Sequence, residues 1–252
     1  MERIDKILSS TGRWTRREAR ELIRAGRALV NGTVVRDPAA KADAETASIT
    51  VNGEALEYRR FTWLMLNKPA GYLSATEDGR GPVVLDLLPP ELRRRGLFPV
   101  GRLDKETEGL LLLSNDGALA HRLLSPKYHV EKVYRARVDG ILTEEDRDAF
   151  AAGMTLEDGT RCLPAELEIV EPGTALVTLR EGKYRQVRRM LAGRGKPVVY
   201  LERIRMGNLP LDSTLERGNF RFLTDFETEA LRSLPAAPGN GHNFHKKSTP
   251  LL

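Results

Sequence analysis

An aspartate in a charged loop is the first candidate for chemistry in this sequence. The stretch from Gly101 to Gly117 reads GRLDKETEGLLLLSNDG, and it places Asp104 among charged neighbours just before four leucines. An uninterrupted apolar run bounded by glycine and by Asn-Asp-Gly predicts a short strand buried on both faces. A loop anchored to such a strand holds its side chains firmly, as a catalytic site requires. From these residues alone, a charged loop that is merely solvated is the alternative.

Two further stretches could supply partners for that carboxylate. In EKVYRARV, the alternation of a strand sends Tyr134 to one side. At a predicted strand-to-helix turn, EGKYRQVRRM concentrates four cations, Lys183, Arg185, Arg188 and Arg189. A cation beside a carboxylate keeps it ionised, and an aromatic face can stack on a flipped-out base. Taken singly, the aspartate could shape its loop, the tyrosine could be a half-buried strand residue, and the arginines could contact phosphates only.

The chain lacks the motifs of several familiar enzyme classes. It has no G-x-S-x-G serine elbow, no Walker A loop and no G-x-G-x-x-G dinucleotide fingerprint. The single cysteine, Cys162, excludes an internal disulfide framework, and together with four histidines it offers no zinc cluster. We therefore expect chemistry without a cofactor or a metal, in a reducing compartment such as the cytoplasm.

The charge of the chain predicts a polyanionic partner. The 252 residues carry a net charge of +5. Residues 1–36 hold nine Lys/Arg against four Asp/Glu, and residues 181–205 hold eight against two. Two basic islands on a nearly neutral body are typical of nucleic-acid binding. No window approaches 18 apolar residues and the N-terminus is charged throughout, so we expect neither a membrane span nor a secretory signal.

The first basic island predicts two short helices. ERIDKILSS has the apolar spacing of an amphipathic helix. Thr15 and Glu18 have the spacing of a capping box, so a second helix should begin there and end at Gly26. One face of this helix carries arginines within an arc of about 100°, with the glutamates off that face. These arginines are Arg16, Arg17, Arg20 and Arg24. Such a row suits RNA phosphates, and a merely solvated face is the alternative.

A β-hairpin follows these helices. RALV-NG-TVVR has Asn31-Gly32 as its tight turn, and SITVNG predicts one more strand. Two small helices followed by a hairpin resemble the S4 RNA-binding domain. The stretches that carry this resemblance are RIDK from Arg3, RREA from Arg16 and GRALVNG from Gly26. We expect this S4-like domain at residues 1–59, with the polar stretch 54–60 as the linker that follows it.

A second domain is expected at residues 60–232. It opens with the apolar strand FTWLMLNKP, and KVYRARVDG and ALVTLREG predict further strands. Helical spacing in TEEDRDAFAAGM predicts a helix at 143–154, and QVRRMLAG predicts a short basic helix at 186–193. The remaining residues, 233–252, lack a periodic apolar face and predict a disordered tail.

Four blocks of the second domain carry a family resemblance. In order along the chain they are LNKPAGY, GRLDKETEGLLLLSNDG, EKVYRARV and EGKYRQVRRM. They closely resemble the rRNA pseudouridine synthases of the bacterial branch that carries an S4 domain. The resemblance implies that Asp104 is the catalytic aspartate. In such enzymes it attacks the target uridine or initiates cleavage of the glycosidic bond, and the uracil then rejoins the ribose through C5.

The resemblance also implies roles for residues around that aspartate. Arg102 matches the arginine that helps to hold the flipped-out nucleotide, and Tyr134 matches the tyrosine that stacks on the uracil. Arg188 matches the basic residue that pairs with the aspartate. Arg189 and Lys183 are close enough in sequence to be alternatives for that pairing.

The fold and the substrate follow from the same resemblance. It implies an α+β fold, in which a small N-terminal S4 RNA-binding domain on a flexible linker precedes a catalytic domain with a mixed, mostly antiparallel sheet. It implies no cofactor and no metal. HRLLSPKYHVEKVY and CLPAELEIV favour the members that modify 16S rRNA, free or in an assembling ribosomal subunit, and we expect a monomer. The alternatives are a 23S rRNA enzyme of the same branch and a non-catalytic rRNA-binding assembly factor on the same fold.

Overall fold

The computed structural model describes residues 1–79 and 81–233. Its helices are α1 (Ile4–Ser10), α2 (Arg16–Arg24), α3 (Pro90–Arg93), α4 (Gly117–Leu124), α5 (Glu144–Ala152), α6 (Gln186–Ala192) and α7 (Asp225–Arg232). Its strands are β1 (Glu2–Arg3), β2 (Ala28–Val30), β3 (Thr33–Val35), β4 (Lys41–Ala42), β5 (Ile49–Val51), β6 (Glu54–Ala55), β7 (Trp63–Lys68), β8 (Phe98–Val100), β9 (Glu108–Ser114), β10 (Lys132–Val138), β11 (Glu166–Glu171), β12 (Thr174–Leu179), β13 (Val198–Met206), β14 (Leu209–Pro210) and β15 (Phe220–Phe222). Short 3₁₀ helices cover Val84–Leu87 and Pro126–Tyr128. The tail predicted from residue 233 lies, apart from Ser233, outside the described residues.

The two predicted N-terminal helices are confirmed. Thr15 caps α2: its hydroxyl accepts a hydrogen bond from the Glu18 amide at 3.2 Å, and its own amide donates to Glu18 Oε2 at 2.6 Å. This reciprocal capping satisfies two amides that the first turn would leave unpaired. Ala19 and Ile23 are completely buried against α1 and the adjacent sheet. The chain leaves the helix at Gly26, whose φ of +71° suits glycine.

A small sheet completes the N-terminal domain, in the strand order β3-β2-β5-β6. The hairpin turn has positive φ at both Asn31 (49°) and Gly32 (78°), as the tight turn of the sequence predicts. The stretch 54–60 differs from the predicted linker, because its first two residues form β6 and pair with β5. Leu56 and Tyr58 then pack against the same core, so burial of these apolar groups holds a polar-looking segment in place.

The larger domain is built on a nine-stranded sheet. Seven strands follow the order β11-β12-β10-β13-β9-β7-β15, while β14 pairs with β13 and β8 pairs with β9. Every pairing is antiparallel except that of β9 with β13. The expected mixed, mostly antiparallel sheet is therefore confirmed. Within the described residues, no helix is long and apolar enough to cross a membrane.

The leucine run lies in the middle of this sheet, on β9. Leu110 and Leu112 face one apolar cluster, and Leu111 and Leu113 face another. All four are completely buried. Successive side chains of a strand point to opposite faces of the sheet, so every position is apolar when both faces are covered. Each buried leucine contributes about 1.5–3 kcal/mol by the hydrophobic effect, so β9 is a firm support for the loop that precedes it.

Gly109 allows the single parallel contact of the sheet. Its φ is +94°, and an added Cβ would lie 2.3 Å from the Arg203 carbonyl oxygen. A side chain at this position would therefore push β13 away from β9. The glycine beside the leucine run is thus a packing requirement, and it brings β13 against the strand that carries the loop.

The two domains contact each other through α3. Gly12, with a φ of +76°, lies so close to α3 that an added Cβ would be 1.8 Å from the Glu91 carbonyl oxygen. Arg95 donates from Nε to the Thr11 carbonyl at 2.9 Å and from Nη1 to the Thr62 hydroxyl at 3.0 Å. These contacts join the small domain to the large one in addition to the covalent linker, whose flexibility stays a prediction.

Candidate active site

The loop between β8 and β9 carries Asp104 on a constrained backbone. The Thr107 amide donates to the Asp104 carbonyl at 3.0 Å, which closes a tight turn around the aspartate. Ser74 holds Leu103, the residue before the aspartate. The Ser74 hydroxyl donates to the Leu103 carbonyl at 2.9 Å and accepts from the Leu103 amide at 3.0 Å. The Asp104 side chain remains 24% exposed. The loop therefore presents a carboxylate to solvent from a fixed position.

Lys68 anchors the same loop from beneath. This lysine ends β7 and is completely buried. Its ammonium lies within hydrogen-bond distance of the carbonyl oxygens of Asp104 (3.2 Å), Lys105 (3.1 Å), Thr107 (2.9 Å) and Pro69 (3.0 Å). Burial lowers the pKa of Lys68 to about 8, opposed by the carboxylates around the loop. A buried cation thus binds the backbone carbonyls of the Asp104 loop.

Arg188 is the basic residue that the structure brings to Asp104. It comes from α6, and its Nε lies 4.0 Å from Asp104 Oδ2. That Nε is buried and has no hydrogen-bond partner, although Nη1 donates to the Val198 carbonyl at 3.3 Å. Burial lowers the pKa of Arg188, followed by repulsion from Arg185, but a guanidinium stays protonated at any physiological pH. A charged donor therefore lies beside the carboxylate with its hydrogen bond unmade.

The two alternatives for that role pair with other carboxylates. Lys183 lies 3.1 Å from Glu181. Arg189 binds Asp158, and the hydrogen bond from this guanidinium is the main reason that the pKa of Asp158 is lowered to about 2. Their charges are already compensated, which distinguishes both from Arg188.

Tyr134 lies on β10, beside a buried arginine. The tyrosine is 9% exposed and shares the larger apolar cluster with Leu103, the neighbour of the aspartate. Across the sheet it pairs with Arg203 of β13, which is 2% exposed. Arg203 Nε donates to the Leu110 carbonyl at 2.8 Å, whereas its buried Nη2 has no partner. A buried donor without an acceptor is uncommon in folded proteins and is suited to a substrate oxygen.

A third buried cation lies two residues before the tyrosine. Lys132 donates from Nζ to the Val130 carbonyl at 2.8 Å. Burial, with a further contribution from Arg203, lowers the pKa of Lys132 to about 8. Two buried cations, Lys132 and Arg203, therefore lie at the end of β10 that carries Tyr134. Alternation on a strand predicts the side that Lys132 faces, but nothing in the sequence signals the burial of Arg203.

The remaining predicted RNA contacts of this domain lie at the surface. Arg102 is exposed and pairs with no carboxylate among residues 1–79 and 81–233. Arg185 has a φ of +48°, and its Nη1 lies 3.8 Å from Glu106 Oε2. Because Glu106 belongs to the Asp104 loop, this pair joins that loop to the turn before α6. Both arginines are placed where a phosphate backbone could reach them.

On α2, two of the predicted arginines are committed to an aspartate that the sequence did not single out. Asp5 of α1 is completely buried. It accepts from Arg3 at 3.0 and 2.9 Å and from Arg20 Nε at 3.0 Å, and Arg16 Nε lies 3.6 Å away. The Arg3 guanidinium, aided by Arg20, holds the pKa of the Asp5 carboxyl well below its usual range. One buried carboxylate therefore holds Arg3 and two arginines of the basic face, Arg16 and Arg20.

The other two arginines of that face differ from each other. Arg17 pairs with Glu21 at 3.0 Å. Residues four apart on a helix are surface neighbours, which explains the pair. Arg24 is exposed and pairs with no carboxylate in the described part of the chain. That these four residues bind RNA stays a prediction.

Metal ions have no evident place in this arrangement. Among the described residues, no group of three or more His, Cys, Asp or Glu side chains could hold a metal ion. The site consists of a carboxylate, an aromatic ring and several cations, which can orient a nucleotide and stabilise negative charge on it.

Two known families match parts of this chain. Residues 62–193 match the profile of the RNA pseudouridylate synthase family, and residues 2–46 match that of the S4 domain. The first match contains the Asp104 loop, Tyr134 and Arg188, and the second contains both helices of the basic face.

Relatives of known sequence cover nearly the whole chain. An uncharacterized RNA pseudouridine synthase of Bacillus subtilis is 45% identical, with 91% of this chain and 98% of that protein covered. Ribosomal small subunit pseudouridine synthase A of Vibrio cholerae is 37% identical (91% and 99% covered), and ribosomal large subunit pseudouridine synthase B of B. subtilis is 38% identical (93% and 97% covered). A solved pseudouridylate synthase, 35% identical, superposes with a TM-score of 0.65 over 92% of this chain and 100% of that one. The chain therefore belongs to the RNA pseudouridylate synthase family and carries an N-terminal S4 domain.

Proposed function

We propose that this protein converts one uridine of 16S rRNA to pseudouridine, with Asp104 as the catalytic carboxylate. The observation that carries this proposal is the pairing of Asp104 with Arg188 at 4.0 Å, on a loop that Lys68 fixes through its backbone. A carboxylate that must act on a nucleotide has to be ionised and correctly placed. Arg188 favours the ionised form, and the anchored loop supplies the placement.

The isomerisation balances without an external reagent. Asp104 bonds to the uridine or assists departure of the base, so that the N1–C1′ bond breaks. The uracil turns within the site, C5 bonds to C1′, and the proton on C5 is lost while N1 gains one. Product and substrate have the same atoms and the same oxidation state, so no cofactor or metal is needed for the stoichiometry.

The neighbouring residues hold the uracil and its ribose during this turn. Tyr134 offers an aromatic face on which the base can stack, and aromatic stacking is how many proteins hold an unpaired base. Arg102, next to the catalytic turn and exposed, can bind the phosphate of the flipped-out nucleotide. The donor left free on Arg188 is available for the negative charge that develops near the aspartate.

Ribosomal RNA is the substrate favoured by the relatives. Small subunit synthases A from several bacteria are 36–37% identical over 88% or more of the chain. Large subunit synthase B of B. subtilis is equally similar, so 23S rRNA is the competing target. We favour 16S rRNA because the small-subunit enzymes recur among the relatives and the blocks around residues 121–134 and 162–170 resemble them.

Partners and location follow from the same substrate. The basic face of α2 would add affinity for rRNA, free or in an assembling ribosomal subunit, while the cleft at Asp104 performs the reaction. We further propose that the enzyme works as a monomer in the cytoplasm, where ribosomal subunits are assembled.

The deciding experiment maps pseudouridine in unmodified 16S and 23S rRNA after incubation with the protein. We expect one new pseudouridine in 16S rRNA, and none with Asp104→Asn, which keeps the shape of the side chain but removes its charge. RNA affinity of the variant should stay within about twofold, because the carboxylate binds no phosphate. A new pseudouridine in 23S rRNA alone would move the target to the large subunit.

Two other outcomes bear on the reaction itself. Turnover by Asp104→Asn comparable to that of the unaltered protein would overturn the assignment of the catalytic residue. If neither free rRNA nor assembling particles acquired pseudouridine while both were bound tightly, the protein would be an rRNA-binding assembly factor instead.

A further inference from the structure

An exposed aromatic residue stands beside the site without a structural role. Tyr184, in the turn between β12 and α6, is 75% exposed. Within the described chain its side chain makes no hydrogen bond and belongs to none of the apolar clusters. Single exposed aromatics are common on protein surfaces, so exposure alone implies nothing. The position of this one, and the rigidity of the turn that holds it, distinguish it.

The turn that carries Tyr184 is fixed by one carboxylate and one amide. Glu181 Oε1 accepts from the Leu163 amide at 2.8 Å and from Gln186 Nε2 at 2.7 Å, and Glu181 Oε2 lies 3.1 Å from Lys183 Nζ. Gln186 Oε1 in turn accepts from the Lys183 amide at 3.0 Å. The backbone on both sides of Tyr184 is therefore ordered before any ligand binds, so that little conformational entropy is lost on binding.

The same turn lies against the catalytic loop. Arg185, the next residue, has a left-handed backbone and reaches Glu106 at 3.8 Å, two residues beyond the aspartate. One helical turn further on, Arg188 reaches Asp104. Lys183 and Arg185 flank the exposed tyrosine in the chain, and Arg185 contacts the loop that carries Asp104. Aromatic rings interleaved with cations are typical of surfaces that bind single-stranded RNA.

We infer that Tyr184 stacks on a nucleobase that flanks the target uridine. This inference rests on the proposed function, in which the Asp104 site receives an unpaired RNA segment. Tyr134, at 9% exposure, is buried enough to serve only the base that enters the site. Tyr184 instead contacts a neighbour that stays outside, and Arg185, whose only carboxylate pair in the described chain is the 3.8 Å contact with Glu106, binds a phosphate beside it. Stacking of this kind accepts any base but strongly disfavours a missing one.

The test is a cycle that combines a protein variant with an RNA lesion. Short RNAs around the modified uridine are made with a single abasic nucleotide at each flanking position in turn. On intact RNA, Tyr184→Ala should lower kcat/KM by about 5- to 150-fold, the range that loss of one stacked base produces. On the RNA that is abasic at the stacked position, the variant and the unaltered protein should be equal. Tyr184→Phe keeps the ring and should keep the activity.

A matched control comes from α7. Phe226 is also exposed, by 84%, but lies on a helix that contributes nothing to the Asp104 site. Phe226→Ala should leave kcat/KM unchanged on every RNA. An unchanged kcat/KM for Tyr184→Ala would overturn the inference. So would an equal loss on all of the abasic RNAs, since that would indicate a general effect on the turn.

The cycle is repeated as binding affinity, so that it does not depend on turnover. The unaltered protein and the Asp104→Asn protein, each with and without Tyr184→Ala, are titrated with the same RNAs. Isomerisation by Asp104→Asn would contradict the proposed catalytic residue, and the affinities would still decide whether Tyr184 stacks. The inference is supported if Tyr184→Ala lowers the affinity for every RNA except the one that is abasic at the stacked position. It is rejected if Tyr184→Ala changes the affinity for all of the RNAs equally or for none.

Discussion

Asp5 and Asp104 both lie next to arginines, and their surroundings are opposite. Asp5 is completely buried and accepts hydrogen bonds from Arg3 and Arg20, with Arg16 close by. Asp104 is 24% exposed and faces the unpaired Nε of Arg188 at 4.0 Å. The first carboxylate has its hydrogen-bonding capacity filled within the fold. The Asp104 carboxylate can accept further hydrogen bonds, and the Nε of Arg188 can still donate one.

This difference separates a structural ion cluster from the pair that we propose to be reactive. A buried charge is tolerated when hydrogen bonds replace its lost hydration, and at Asp5 they do. At Asp104 the fold instead satisfies the backbone of the loop, through Lys68, and leaves the side chain incompletely paired. Groups that are held in place but not satisfied can interact more strongly with a transition state than with the free enzyme.

Replacement of Arg188 should produce the largest effect within this comparison. Arg188→Met removes the charge beside Asp104 but keeps an unbranched apolar stem. We expect kcat to fall at least about 100-fold, the usual consequence of losing one charge-stabilising group. The free energy of unfolding should change by less than about 1 kcal/mol, because the buried Nε that is lost was unpaired and Nη1 makes a single long hydrogen bond, at 3.3 Å to the Val198 carbonyl. Release of tritium from RNA labelled at C5 of uridine measures the rate, and urea denaturation measures the stability.

The matched control is Arg20→Met in the Asp5 cluster. It should lower stability and leave the rate at saturating RNA near that of the unaltered protein. If Arg188→Met were destabilising and still fast, the distinction between the two aspartates would be wrong. Arg188→Lys keeps the charge but not the fork of donors, so its kcat should lie between that of the unaltered protein and that of Arg188→Met.

Asp5→Asn should have the next largest effect, on stability. It keeps the shape of the side chain but removes the charge that holds Arg3 and Arg20, each through a charge-assisted hydrogen bond worth about 1.5–3 kcal/mol. Since the arginines are partly exposed and regain water, we expect a net loss of about 2 kcal/mol from the N-terminal domain. Hydrogen exchange of the α1 and α2 amides locates this loss of stability. As the control, Glu21→Gln at the exposed Arg17 pair should change the stability by less than about 0.5 kcal/mol.

The pH dependence of that loss has a definite sign. The pKa of Asp5 is lowered in the folded protein, mainly by the hydrogen bond from Arg3, so its stabilisation is complete above the unfolded value of about 3.9. Below that value the unfolded chain takes up a proton that the folded protein does not. The gap between the unaltered protein and Asp5→Asn should therefore be constant above about pH 5 and shrink in acid. A gap that shrank towards neutral pH would contradict this account.

Much of the fold could be predicted because its signals are local. The capping box at Thr15, the Asn31-Gly32 turn and the leucine run of β9 each depend on a few adjacent residues, and each was confirmed. Asp104 was identifiable in the sequence because a run of charged residues directly before a fully apolar strand is unusual. β10 and α6 begin where the sequence predicts, but β10 ends at Val138, two residues before the predicted end, and α6 ends at Ala192, one residue before it.

The supports of the site could not be predicted, because they depend on contacts between distant segments. Lys68 ends an apolar strand and looks exposed in the sequence, but it is buried where β7 and the Asp104 loop meet. Arg203 lies opposite Gly109 only because β13 runs parallel to β9, a pairing that no local pattern shows. Asp5 likewise meets Arg20 fifteen residues away, through the packing of α1 on α2.

The smallest expected effect separates the arginines of α2 from one another. If the basic face binds rRNA, loss of Arg24 should lower the slope of log affinity against log salt by about 0.7–0.9, since this guanidinium is exposed and unpaired in the described chain. Loss of Arg20 should lower the slope by less, because Asp5 already neutralises part of its charge. Arg24→Gln and Arg20→Gln, titrated with rRNA at several salt concentrations, measure both slopes. Equal slopes for the two variants would mean that RNA displaces Asp5 from its arginines, so that even the structural cluster would be part of the binding surface.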